Sequence, residues 1–112
     1  MDPSQFAIEI ERADDVAFVR CRGRLVAGVR DSFYTEVRQL IPDTKRIVLD
    51  LTDLTHMDSM GLGTVVRLYV SAKSAGVDLE LINIGKRIRQ ILGVTGLLKA
   101  FEMIGDQGLR MP

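Results

Sequence analysis

The amino-acid composition lacks several features that would point to particular classes of protein. The 112 residues include a single cysteine, Cys21, which excludes an internal disulfide and is typical of a reducing compartment. No run of ~18 apolar residues occurs, so the sequence predicts no membrane-spanning helix. The first residues carry neither a basic region nor an apolar core, so we expect no signal peptide. We therefore predict one soluble, cytoplasmic domain over residues 1–112.

Charge and aromatic content argue against binding to nucleic acid or to a membrane surface. Fifteen basic residues balance 15 acidic ones, so no overall field attracts polyanions. The chain has two tyrosines, four phenylalanines and no tryptophan, which is too few for an aromatic platform that stacks bases. We predict neither direct contact with nucleic acid nor insertion into a membrane.

The residues that could support catalysis or metal binding form no known constellation. His56, the single histidine, precedes Ser59 by three positions, but the Gly-x-Ser-x-Gly elbow of hydrolases is absent. Asp50, Asp53 and Asp58 match no metal-ligand spacing, and Asp58 is better placed to cap a helix. No glycine-rich nucleotide loop is present. We therefore predict a protein that is not an enzyme and has no cofactor or metal, with His56 in a loop.

Hydrophobic periodicity predicts an α/β domain. Two closely joined runs of alternating apolar and polar residues indicate an antiparallel hairpin, and a nearly all-apolar run indicates a central strand. We expect a mixed sheet of four to five strands, in which parallel β-α units follow the hairpin, packed with three or four helices. The predicted strands are 6–11, 17–25, 47–51, 79–84 and a candidate edge strand at 97–103. The predicted helices are 33–41, 59–76 and 86–92, and residues 105–112 are expected to fray.

Three arginines, Arg20, Arg22 and Arg24, line one side of the second predicted strand. The hairpin would place Glu9 and Glu11 opposite this row, which favours cross-strand ion pairs. We therefore interpret the row as a solvated face rather than as an anion-binding site.

The most informative segment is 47–63, where a strand passes through a short polar loop into a predicted helix. Ser59 then lies at a helix N-terminus, where unpaired N–H groups and the helix dipole favour negative charge. Such a site suits a phosphoserine better than a nucleophile, because no base stands beside it. Gly61 and Gly63 each cost about 1 kcal/mol in a helix relative to alanine, so something must come near the backbone. The residues leave two alternatives open: regulation at Ser59, or a Ser59 cap with both glycines used for internal packing.

Several segments carry a family resemblance. The first reads Ile-Val-Leu-Asp-Leu-x-x-Leu-x-x-Met-Asp-Ser at 47–59, followed by Gly-Leu-Gly at 61–63, and Thr-Gly-Leu stands at 95–97. Together with 77–84 and 87–92, they make the chain resemble the STAS domain over nearly its whole length. More narrowly, the pattern is similar to that of the bacterial anti-sigma-factor antagonists.

The resemblance implies a regulated interaction module. In that family the serine matching Ser59 is phosphorylated by a partner that is both anti-sigma factor and serine kinase. The unmodified form binds the partner and releases its sigma factor, and a phosphatase resets the modified form. The expected exposed face of the helix contains Met60, Thr64, Arg67 and Ser71. The expected partner-binding residues are Asp58, Ser59, Met60, Gly61, Thr64 and Arg67.

Two positions depart from the family pattern. Met60 stands where a small hydroxyl residue is usual, and Val26 stands where an acidic residue commonly faces the partner. They keep an alternative open: a STAS interaction module used without phosphorylation, as a scaffold or as an accessory subunit of a lipid or anion transporter. The sequence does not determine the oligomeric state.

Overall fold

The structure is a computed structural model that describes residues 6–26, 30–86, 88–90, 102–104 and 108–110. The strands are β1 (Ala7–Ala13), β2 (Val16–Leu25), β3 (Arg46–Met57), β4 (Asp78–Ile82), β5 (Glu102–Ile104) and β6 (Gly108–Arg110). The helices are α1 (Arg30–Arg38) and α2 (Ser59–Ser74), with a 3-10 turn at Ile41–Asp43 and helical backbone at residues 86 and 88–90.

The strands form one mixed sheet in the order β1-β2-β3-β4-β6-β5. β1 and β2 pair antiparallel, β2, β3 and β4 are parallel neighbours, and β6 runs antiparallel to β4 and β5. The predicted fold class, an antiparallel hairpin followed by parallel β-α units, is confirmed. The two parallel connections pass through α1 and α2, which pack against each other and therefore cover the same face of the sheet.

The core lies between that face and the two helices. Its largest fully buried side chains include Phe33 of α1, Leu49 of β3 and Leu68 of α2. The predicted inward residues of β2 are confirmed, since Ala17 and Val19 are fully buried and Cys21 and Leu25 are 1% exposed. Burial raises the pKa of the Cys21 thiol to about 12, so this residue acts as a small hydrophobe rather than as a nucleophile.

The hairpin carries the predicted cross-strand ion pairs. Arg20 lies 3.5 Å from Glu11, and Arg22 lies 3.8 Å from Glu9. All four side chains are about half exposed, so each pair is worth at most about 1 kcal/mol. The pairing neutralises most of the arginine row and explains it without a ligand.

The end of β3 differs from the prediction. Residues 52–57 were expected to form a polar loop, but β3 continues to Met57 and pairs with β2 as far as Leu25. Leu54 and Met57 are buried, so the segment does carry apolar residues for a sheet face. The register between β2 and β3 shifts between Arg20 and Arg22 and again between Gly23 and Arg24, and Gly23 has a φ of +93°.

The expectation that His56 lies in a loop is therefore wrong. His56 is a strand residue, and its Nδ1 lies 3.0 Å from the Thr55 hydroxyl. Thr55 in turn donates to the Gly23 carbonyl at 3.0 Å, which ties β3 to β2.

The described C-terminal residues form two short strands, β5 and β6. The candidate edge strand at 97–103 corresponds to β5, which the structure places three residues long at the edge of the sheet. Within the segment expected to fray, β6 pairs with both β4 and β5. The three residues of β6 are too few to show a hydrophobic period, so the sequence pattern did not predict this strand. Pairing with β4 satisfies the backbone N–H and C=O groups of β6. The end of the predicted helix at 91–92 and the residues 97–101 lie outside the described residues.

No helix that the structure describes is long and apolar enough to cross a membrane.

Candidate partner-binding site at the start of the second helix

The site lies at the junction between the end of β3 and the start of α2. Asp58 has extended backbone angles and its carboxylate accepts a hydrogen bond from the Gly61 N–H at 2.8 Å, so Asp58 is the N-cap of α2. The Asp58 N–H also donates to the Leu25 carbonyl at 3.4 Å, which fixes the cap to the end of β2. The predicted capping role of Asp58 is confirmed.

Ser59 is the first residue of α2 and is exposed. Because Asp58 provides the cap, the alternative in which Ser59 merely caps the helix does not hold. Among the described residues the Ser59 hydroxyl has no hydrogen-bond partner. The helix dipole favours an added phosphate here, while the Asp58 carboxylate next to it opposes one.

The two glycines of the first turn have different roles. A Cβ at Gly61 would overlap the Leu25 carbonyl oxygen and lie 3.0 Å from Leu25 Cγ, so Gly61 lets α2 pack against the end of β2. Gly63 is exposed, and a Cβ added there would meet nothing within 4 Å. Internal packing therefore accounts for Gly61 and leaves Gly63 unexplained.

The predicted exposed face of α2 requires a correction at Thr64. Its side chain is 2% exposed, and its hydroxyl donates to the Met60 carbonyl at 3.1 Å. Thr64 lies three positions after Gly61 and four before Leu68, both of which are buried, so it belongs to the buried stripe. Ser71, also expected on the exposed face, is half-buried. Neither Gly61 nor Thr64 presents a side chain to a partner.

A continuous exposed stripe does run along α2. Met60 is 42% exposed and Val70 is 56% exposed, which makes them two of the three large hydrophobic residues exposed in the described part of the chain. Gly63 and Arg67 lie between them and are also exposed. The spacing of three, four and three residues puts all four on one face, about 15 Å long. We call Met60, Gly63, Arg67 and Val70 the α2 outer face.

The sequence analysis predicted Arg67 but missed Val70, although counting ten residues from Met60 along the helix places Val70 on the same face. Tyr34 of α1 was missed as well: the Arg67 guanidinium lies over its ring, 4.3 Å from the centroid. No periodicity within one element could have revealed this pair, because it joins two helices.

Asp50, the best-connected carboxylate near the site, has a structural role. It accepts hydrogen bonds from the Thr52 N–H at 3.0 Å, the Thr52 hydroxyl at 2.6 Å and the Asn83 side chain at 3.0 Å. Partial burial raises the pKa of Asp50, but the hydrogen bonds from Thr52 and Asn83 outweigh that effect and leave the pKa below its ordinary value. Asp50 thus ties β3 to the residue that follows β4.

Comparisons with known proteins agree with this architecture. A family model described as STAS domain matches residues 7–107. The anti-sigma F factor antagonist of Paenibacillus polymyxa is 29% identical over 102 residues, which cover 89% of this chain and 87% of the relative.

Solved structures show the same fold. An anti-sigma factor antagonist from Mycobacterium paratuberculosis superposes with a TM-score of 0.78 at 20% identity, covering 92% of this chain and 88% of that one. SpoIIAA, a Bacillus cell fate determinant and anti-sigma factor antagonist, is known in an unphosphorylated form (TM-score 0.71, 20% identity, 81% and 82% covered) and in a phosphorylated form (0.68, 20%, 83% and 86%).

Proposed function

This chain belongs to the STAS domain family, and on that premise we propose that it is an anti-sigma-factor antagonist switched off by phosphorylation of Ser59. The unmodified chain binds an anti-sigma factor and thereby releases the sigma factor which that protein holds. The observation that carries the proposal is the exposed, unpartnered Ser59 hydroxyl at the first position of α2, beside a cap that another residue supplies. The protein acts as a binding module rather than as an enzyme.

The modification is a simple phosphoryl transfer. The anti-sigma factor, acting as a kinase, would transfer the γ-phosphoryl group of ATP to the Ser59 hydroxyl oxygen. The hydroxyl proton would pass to a base of the kinase, and ADP would leave. A phosphatase would reset the switch by hydrolysing the ester. The relatives support this scheme by name, since SpoIIAA exists in unphosphorylated and phosphorylated forms.

The effect of the phosphate would arise at the contact surface and not in the fold. Phosphoserine carries a charge of about −1.5 to −2 at neutral pH. Leaving this charge in a dry interface without a partner cation costs roughly 3–5 kcal/mol, and each 1.4 kcal/mol is a tenfold change in affinity. A loss of several hundredfold is therefore expected without any change of conformation.

The α2 outer face supports a protein partner rather than a small ligand. Met60, next to Ser59, is an apolar side chain that gains by burial, about 25 cal/mol for each Å² removed from water. Gly63, one turn further on, lets a partner approach the helix backbone closely, which explains a glycine that nothing inside the domain requires. The proposed contact set is therefore Asp58, Ser59, Met60, Gly63 and Arg67, with Gly61 and Thr64 supporting it from beneath.

The experiment that tests the switch is intact-mass analysis of the protein isolated from its native cell, with Ser59→Ala as the matched control. We expect a fraction of the wild-type chain to carry one additional phosphate and the variant to carry none. A wild-type chain without phosphate under conditions that both activate and silence its sigma factor would overturn the proposal. That result would favour the STAS module that works without phosphorylation.

A further inference from the structure

A groove of about 680 Å³ separates α1 from the C-terminal half of α2. The groove is distinct from the surface around Ser59, since it is lined by the second half of each helix and by the turn after α1. Its lining includes Tyr34, Arg38, Pro42, Val70, Ser71 and Ser74.

A cluster of polar groups from both helices lies at the groove, where Tyr34, Arg38 and Ser71 line it and Arg67 contacts Tyr34. The Tyr34 and Ser71 hydroxyls are 3.1 Å apart and joined by a hydrogen bond. The hydrogen bond with Ser71 and then the positive charges of Arg38 and Arg67 lower the pKa of Tyr34 below its ordinary value. Both guanidinium groups therefore act on the same hydroxyl, Arg67 from above the Tyr34 ring and Arg38 from the next turn of α1.

This cluster is electropositive. No acidic side chain lines the groove, and within the described part of the chain neither Arg38 nor Arg67 forms an ion pair. Both helices end at the same end of the groove, where each contributes about half a negative charge. Two full positive charges outweigh roughly one negative charge, so the groove attracts anions even though the chain as a whole is neutral.

The groove also has an apolar border that continues the α2 outer face. Val70, 56% exposed, belongs to both surfaces, and the exposed Pro42 of the turn after α1 also lines the groove. A surface that combines exposed apolar side chains with two guanidinium groups that form no ion pair within the described residues suits a peptide segment that is both acidic and apolar.

We propose that the α1–α2 groove docks an acidic segment of the anti-sigma factor, with carboxylates on Arg38 and Arg67 and an apolar side chain against Val70 and Pro42. The inference rests on the proposed function, because it assigns the occupant to the same partner. It adds a second contact, about 15 Å from the start of α2, that the charge on Ser59 does not reach directly. This contact would contribute electrostatic affinity for the partner. The phosphorylation state of Ser59 would determine whether the contact at the start of α2 also forms.

The first test uses a peptide probe on the full chain. The ¹⁵N-labelled protein is titrated with a synthetic hexapeptide of alternating glutamate and leucine, and a lysine–leucine hexapeptide serves as the reversed-charge control. We expect shift changes confined to the groove, binding that weakens as NaCl is raised, and a loss of affinity of up to roughly 25-fold in Arg38→Gln/Arg67→Gln, since each exposed pair is worth up to roughly fivefold. Arg22→Gln, which removes a positive charge elsewhere on the surface, should bind as wild type does.

Several outcomes of that titration would overturn the proposal. Shift changes outside the groove, equal affinity for the lysine peptide, or unchanged affinity in the double variant would each do so. Groove shifts with inorganic phosphate at concentrations where the glutamate peptide has no effect would also overturn it, because they would make the groove a small-anion site.

The second test uses the anti-sigma factor itself, once it has been identified from a complex with Ser59→Ala and produced alone. We expect Arg38→Gln, which leaves the contact set around Ser59 unchanged, to weaken binding by up to roughly fivefold at low salt, and to weaken it less at 0.5 M NaCl. An unchanged affinity of Arg38→Gln together with a strong effect of Ser59→Asp would contradict the groove proposal and leave the Ser59 switch intact. A loss of affinity in Arg38→Gln without any effect of Ser59→Asp would support the groove and contradict the switch.

Discussion

Gly61 packs so tightly against Leu25 that the backbone carbonyl of Leu25 occupies the space a Cβ would need. The Leu25 carbonyl also accepts from the Asp58 N–H, so one oxygen at the end of β2 positions both the cap and the first turn of α2. This contact fixes Ser59 at the rim of the sheet. The exposed position of Ser59 at the start of α2 thus depends on the close packing of Gly61 against Leu25.

Gly61→Ala and Gly63→Ala should therefore have opposite effects on stability. At Gly61 the obstructing atom is backbone and cannot rotate away, so we expect a loss of about 1–3 kcal/mol in the free energy of unfolding. At Gly63 the new methyl group enters open space and raises helix propensity, so we expect a gain of up to about 1 kcal/mol. Urea unfolding of both variants measures this, and destabilisation by Gly63→Ala would contradict the assignment.

The same pair separates stability from binding. Although Gly63→Ala should be the more stable protein, the partner would lose its close approach to the backbone, and we expect at least a tenfold lower affinity for the anti-sigma factor. Calorimetric titration checks this. A stabilised variant with wild-type affinity would show that no partner approaches α2 at this position.

Met60→Ala and Thr64→Val test which residues of α2 face the partner. Met60 is exposed, so its truncation should change stability by less than about 0.5 kcal/mol but should weaken partner binding through lost apolar burial. Thr64 is buried and bonded within its own helix, so replacement by valine should leave affinity unchanged and alter stability by about 1 kcal/mol or less. Loss of affinity only in Thr64→Val would reverse the assignment.

Asp50 should make the fold sensitive to acid. Its pKa is lower in the folded state than its ordinary value of 3.8, so its contribution to stability is complete above that value and is lost as the pH falls through the folded pKa. We expect Asp50→Asn to cost roughly 1–2 kcal/mol at pH 7 and to flatten the fall in stability below pH 3.8. Urea unfolding between pH 7 and pH 2.5 measures both, with the exposed Asp53→Asn as control. If the free energy of unfolding of Asp50→Asn fell as steeply at acid pH as that of the wild type, this role of Asp50 would be contradicted.

Ser59→Asp should leave the fold intact. The carboxylate would lie at the positive end of the α2 dipole but next to the Asp58 carboxylate, and each effect is worth less than about 1 kcal/mol. We expect a thermal midpoint within about 3 °C of wild type, because 1 kcal/mol corresponds to 4–8 °C in a domain of this size. A large fall in Tm would mean that added charge acts by unfolding α2.

Much of this architecture was readable from local sequence. The alternation in the first two strands predicted both the hairpin and its ion pairs, since cross-strand neighbours follow from period two and a short turn. Asp58 was predictable as a cap because capping depends on a side chain and a backbone N–H three residues apart.

What the sequence could not provide depends on contacts between elements. The continuation of β3 over 52–57 requires the partner strand β2 and the irregular register at Gly23, neither of which leaves a period in β3 itself. The burial of Thr64 depends on how α2 packs against the rest of the domain. The Tyr34–Arg67–Ser71 cluster joins residues over 30 positions apart, so only the packing of α1 on α2 reveals it.

The central claim is that phosphate on Ser59 prevents binding to the anti-sigma factor. The most direct measurement is the affinity of that factor for two forms of the same chain, one with serine and one with phosphoserine at position 59, determined by calorimetric titration. We predict that phosphoserine weakens binding by several hundredfold, about 3–4 kcal/mol, with the Tm of the chain nearly unchanged. Equal affinity for the two forms would contradict the account.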